Sequence, residues 1–263
     1  MVSSHDSLRA DFRQYYPRSR LTLFPQSPPD PHGRSNYEVP DGFKEKRTLS
    51  EREENMSRTA LCFDDDNQPH LLDTSQHDDP ANNLCVEVVR SLSGDIDGDN
   101  QVLLVKVLSK PMINLKFPVP ETQEHAIVKI FDPVFYPEYF PAEEGPWKAG
   151  AYKELHDNNL TGYSHLARQY YSCWTTRLMS YSPDFEGRTR HIGLVLLEYI
   201  QGTNIQALCR HDDDEVLIPP EGRICSDSDG PDAMNFDEEK RLDILAQLLA
   251  GAVEQVYKGV WHE

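Results

Sequence analysis

An α+β fold built on a five-stranded antiparallel sheet is what this sequence predicts, and three observations carry the prediction. Five β-rich runs lie between residues 84 and 200, with turn-forming polar clusters among them. One segment with helical spacing interrupts them, between the third run and the fourth. One long amphipathic helix follows near residue 236.

The first two runs, LCVEVVRSL (84–92) and QVLLVKVL (101–108), flank the turn cluster SGDIDGDN and read as a β-hairpin. EHAIVKIFDP (124–133) is the third strand, rich in branched side chains and stopped by Asp-Pro. Trp147 to Leu155 has helical spacing, with Ala151 and Leu155 on one face. ARQYYSCWTTRL (167–178) is the fourth strand and HIGLVLLEYI (191–200) the fifth. The fifth is almost continuously apolar, the mark of a strand buried on both faces. Residues 201–235 form an acidic linker that contains Pro219-Pro220 and SDSDGPD. In the last helix Asn235 is the expected cap, with Glu238 three residues on. Leu242, Leu245, Leu249, Val253 and Val256 make one apolar stripe, expected to be core. Lys258 suits the C-terminal dipole and Gly259 the position just beyond it.

Residues 1 to about 80 carry apolar side chains singly. FPQSPPDPHG, EREEN and DDDNQPH are rich in proline or charge, so this region reads as a disordered tail. LTLF stands out in it as a short docking element.

Only 38% of the chain is apolar and its formal charge is −18. That balance argues against nucleic acid or an anionic membrane as the main partner, because like charges repel. The five cysteines (Cys62, Cys85, Cys173, Cys209, Cys225) are scattered and show no C-x-x-C. Reduced thiols in a cytoplasmic or nuclear protein are therefore expected. No apolar run approaches the ~20 residues of a membrane span.

Three residue patterns have chemical potential. Lys129 stands inside the apolar strand AIVKIF, where an ammonium facing a cleft could hold phosphate oxygens. Glu198-Tyr199-Ile200-Gln201-Gly202 leaves the fifth strand with backbone groups able to meet a flat heterocycle. Asp95, Asp97 and Asp99 have calcium-loop spacing. Asn100 and Lys106 stand where such a loop needs glycine and glutamate, so a solvated hairpin turn is the reading. HDDDE (211–215) is contiguous and reads as a solvated charge run, and His262 as an exposed side chain.

A lysine in the third strand, a helix after it and LLEYIQG at the exit of the fifth together resemble the protein-kinase-like superfamily. The likeness is greatest to divergent fungal kinase-like proteins and covers about residues 84–263. It implies a small lobe over 84–200, a five-stranded antiparallel sheet with an αC-type helix, followed by a hinge exit and linker at 201–235. The first helices of an incomplete large lobe would occupy 236–263. It also implies that Lys129 meets the α- and β-phosphates of ATP, and that Gly94 and Gly98 belong to the phosphate lid. Glu198, Tyr199 and Ile200 would be the adenine hinge. Lys148 and Ala149 occupy the expected place of the helix glutamate, leaving Glu144 and Glu154 as its substitutes.

VWHE aligns with the start of the catalytic loop, which puts His262 at its histidine. The catalytic Asp and the two magnesium-binding residues would lie farther on. The function expected is thus a kinase-like fragment, inactive as it stands. A longer form would take ATP with magnesium, and no cofactor is assigned to these 263 residues. The alternatives are a non-catalytic pseudokinase-like scaffold for an unknown protein partner, or a relative of the aminoglycoside- and choline-type phosphotransferases.

Overall fold

The five β-rich runs form strands, and they pair antiparallel, but the sheet they make is closed. The structure, a computed structural model, describes residues 4–28, 50–64, 80–94, 101–112, 118–135, 144–202, 209–212, 217–218, 222–224, 234–258 and 260. The chain divides into two compact units. The first is Met1–Tyr199 with Lys258–Val260, and the second is Ile200–Tyr257 with Trp261–Glu263.

The first unit opens with helix α1 (Ser4–Phe12), a 3₁₀ turn over Arg13–Tyr15, and strand β1 (Arg20–Gln26). Two short helices follow, α2 (Glu51–Glu54) and α3 (Arg58–Cys62). Then come β2 (Leu84–Ser93), β3 (Gln101–Ser109), β4 (His125–Phe131), α4 (Glu144–Asp157), β5 (Tyr170–Met179) and β6 (Thr189–Glu198). The strands close into a barrel in the order β1-β2-β3-β4-β6-β5.

This overturns the expected kinase-like small lobe. The five anticipated strands do not form an open sheet, because β1 fills the gap between β2 and β5. Leu21 pairs with Val86 on one side, and Phe24 pairs with Thr175 on the other. The strand comes from the region read as a disordered tail. RLTLFPQ is short and interrupted by Pro25, but its apolar residues alternate well enough to bury Leu21 and Leu23. α1 and the 3₁₀ turn add Leu8 and Tyr15 to the same core, and α3 adds Cys62.

The barrel interior is apolar and filled. Ala126, Val128 and Ile130 of β4 point inward and meet Leu103 and Val105 of β3, Ile192, Leu194 and Leu196 of β6, and Trp174 of β5. A barrel of so few strands has room for side chains only. The opposite face of β4 and β6 is covered by α4. Ile127, Phe131, Val195 and Leu197 pack there with Ala149, Tyr170 and Cys173. β6 is therefore buried on both faces, which is why its sequence does not alternate. Ala151 and Leu155 of α4 meet Leu160, Ala167 and Val260 in a third, smaller cluster.

The second unit holds two strand pairs. β7 (Arg210–His211) pairs with β8 (Leu217–Ile218), and β9 (Gly222–Ile224) with β10 (Met234–Phe236). Helix α5 (Glu238–Tyr257) follows. The expected linker thus contains short strands. Asn235 lies in β10, and the helix is capped instead by Asp237, whose Oδ1 accepts from the Lys240 N–H at 2.9 Å. The stripe Leu242, Leu245, Leu249, Val253 and Val256 is exposed rather than core. No described helix is long and apolar enough to cross a membrane.

Candidate functional site

Strand alternation decides where Lys129 goes. Its neighbours Val128 and Ile130 fill the barrel, so Lys129 must face outward with Ile127 and Phe131, on the side that carries α4. It is half-buried there, and its Nζ stands 5.8 Å from the Phe131 ring centroid. That distance lies within cation–π range.

Register places the other expected residues relative to it. Lys129 pairs with Val102 on β3 and with Val195 on β6, and Val102 pairs with Ser93 on β2. A single row of residues therefore runs from Ser93 to Val195 through Lys129. Gly94 follows Ser93 directly, with φ of 92°, a conformation that glycine adopts without strain. Gly98 and the Asp95, Asp97 and Asp99 cluster lie outside the described residues, as do His262, Glu263 and most of HDDDE.

The exit of β6 lies at the other end of β4, where Glu198 pairs with Ala126. Three residues separate the two rows, about 10 Å of strand. Glu198 is tied back to the start of β5. Its N–H donates to the Gln169 carbonyl at 2.9 Å, and its Oε2 accepts from the Gln169 N–H at 3.1 Å. Tyr199 is partly buried and meets the His125 ring edge-on at 6.3 Å, while Ile200 is exposed and opens the second unit. Glu154 Oε1 accepts from Asn158 Nδ2 at 2.8 Å. Cys173, on the same face, is no nucleophile: burial pushes its thiol up to about 12.

A second cluster went unnoticed in the sequence. Where β4 ends and β6 begins, Arg190 points into the barrel mouth and forms a two-pronged pair with Asp132, Nε to Oδ1 at 3.0 Å and Nη2 to Oδ2 at 2.7 Å. The Tyr15 hydroxyl donates to Asp132 Oδ2 at 2.6 Å. Asp11 lies beside them, 3.6 Å from Arg190 Nη1. It accepts from the Ser180 hydroxyl at 3.1 Å and from the Tyr181 N–H at 2.7 Å. Arg190 and Asp132 are 3% and 1% exposed, and Asp11 is fully buried. Burial works against the Arg190 charge, but Asp132 outweighs it by charge and hydrogen bond, so the guanidinium stays protonated. Burial, and then the Asp132 charge, raise the Tyr15 hydroxyl well above its ordinary value, so it remains a donor. The only local hint was Asp-Pro at 132–133, which reads as a strand stop rather than as half of a buried ion pair.

No family model, curated protein or solved structure matches the chain. Among the described residues no group of three His, Cys, Asp or Glu side chains could hold a metal ion.

Proposed function

We propose that the outer face of β4 binds a nucleotide, and that this chain holds it without transferring phosphate. The observation that carries the reading is the position of Lys129. It is a half-buried cation between the apolar Ile127 and Phe131, in the same register row as the residue preceding Gly94. An ammonium in such a setting attracts phosphate oxygens more strongly than one in open water. The β6 exit lies about 10 Å away along the strand. An adenine there and its phosphates at Lys129 would span the two rows, at the margin of the cluster in which α4 buries Ile127 and Leu197. The reading rests on this local geometry and does not require a kinase-like small lobe.

Phosphoryl transfer needs a base and metal-holding groups beside the phosphates. The residues paired along the Lys129 row are Ser93, Val102, Val195, the buried Cys173 and Gln26, and none of them supplies either.

The test is a thermal-shift titration of the 263-residue chain with ATP, with and without magnesium. Binding to the native state at 100 times Kd adds about 2.7 kcal/mol of apparent stability, which is readily seen. Lys129→Ala should abolish the shift, and Lys129→Arg should keep part of it. Absence of a shift at millimolar ATP, or an equal shift in Lys129→Ala, rejects the reading.

A further inference from the structure

The segment that closes the barrel is attached unlike any other strand. The chain runs on from Gln26 to Leu84 before β2 begins, and the other partner of β1, β5, starts only at Tyr170. Its pairing is divided. Arg20–Leu23 pair with β2 and Leu23–Gln26 pair with β5, and the Thr22 carbonyl also accepts from the Thr176 hydroxyl of β5 at 2.8 Å. Pro25 has no N–H to give to the ladder. The other five strands form a continuous antiparallel path without it, β2-β3-β4-β6-β5, with long registers on each step.

Besides its ladders and its buried Leu21, Leu23 and Phe24, the segment is held by a set of side chains at the barrel mouth. Tyr15 bonds Asp132, which Arg190 grips from β6. Asp11 bonds Ser180 and the Tyr181 N–H just beyond β5. The two halves of this fastening are unequal. Arg190 Nη2 lies 2.7 Å from Asp132, whereas Nη1 lies 3.6 Å from Asp11 and makes no hydrogen bond. The tight half, Arg190–Asp132, joins strands that belong to the five-strand path. The N-terminal segment reaches that pair through the Tyr15 hydroxyl at 2.6 Å, while its Asp11 stays 3.6 Å from Arg190 Nη1.

We propose that residues 4–26 form a latched closing segment that leaves the barrel as one unit, while β2-β3-β4-β6-β5 stays paired. Tyr15 and Asp11 are the latch, and Arg190 with Asp132 is the catch that remains behind. Opening exposes one edge each of β2 and β5, and converts the closed barrel into an open sheet. Regions of a fold open separately when the rest can stay bonded without them, and the unbroken β2-β3-β4-β6-β5 path meets that condition.

Native-state hydrogen exchange on the intact chain tests this, reading Leu21–Gln26 against Ala126–Phe131. The β1 amides should exchange at least about tenfold faster than those of β4 under native conditions. Tyr15→Phe and Asp11→Ala should each speed β1 by roughly a further tenfold, the loss expected for one hydrogen bond made by a charged group. Equal exchange of β1 and β4 in the unaltered chain would overturn the proposal, and this comparison needs no variant. Fast β1 exchange that neither variant alters would also overturn it, because the latch would then have no hold.

Discussion

Asp11 is where burial and charge collide most directly. Its carboxylate is fully buried, and burial raises its pKa above the ordinary 3.8 despite the opposing pull of Arg190, the Tyr181 N–H and Ser180. The useful property of the side chain is therefore its acceptor oxygens, and its charge is a cost. The sign follows from proton linkage. A carboxyl whose folded pKa is raised binds more protons when folded than when unfolded, between the two values. Its contribution is fully present below 3.8 and is lost as pH rises through the higher, folded value. Asp11→Asn keeps an acceptor for Ser180 and Tyr181 and removes the charge. Urea midpoints measured from pH 4 to 7 should then fall less steeply in Asp11→Asn than in the unaltered chain. Parallel pH profiles would show that the Asp11 charge is not strained. Nothing near Asp11 in the sequence foretells this, since its partners lie near residues 132, 180 and 190.

At the scale of elements, β5 shows how a strand is bent to serve two neighbours. Tyr170 and Cys173 both face α4, although three residues apart on a regular strand would point to opposite sides. A bulge between them restores the match by adding a residue to β5 opposite β6. Ser172 absorbs the irregularity at φ of 108°, a conformation that L residues other than glycine rarely adopt, and it is buried. Ser172→Gly should release about 1 kcal/mol, the strain relieved less the extra backbone entropy of glycine. Ser172→Val, with its branched side chain, should lose roughly 2 kcal/mol. Chemical denaturation of both variants checks this, and a destabilised Ser172→Gly would refute the strain. Strand existence was legible here from the β-rich composition of 167–178. The bulge was not, because it answers to the position of α4.

Over the whole molecule, a formal charge of −18 must be accommodated. Among the described residues the charge pairs that are well buried, Arg190 with Asp132 and Asp11, are few, and excess charge in contact with solvent acts as self-repulsion. Raising salt from 0.1 M to 1 M shortens the screening length from ~10 Å to ~3 Å. The melting temperature should therefore rise by a few degrees with sodium chloride, and a fall would mean that attractive pairs dominate instead. What the sequence by itself determined was the local pattern. It determined five strands between 84 and 200, a helix between the third and fourth, an amphipathic last helix, and the outward turn of Lys129 relative to its neighbours. These follow from periods of two and 3.6 residues, which act over a few residues at a time. Tertiary structure alone decided that β1 closes the sheet, that Arg190 and Asp132 meet, and that the α5 stripe is left exposed. The reason is that an apolar face declares only that it favours cover. Which distant segment supplies that cover depends on contacts between residues far apart in the chain, and no local pattern encodes them.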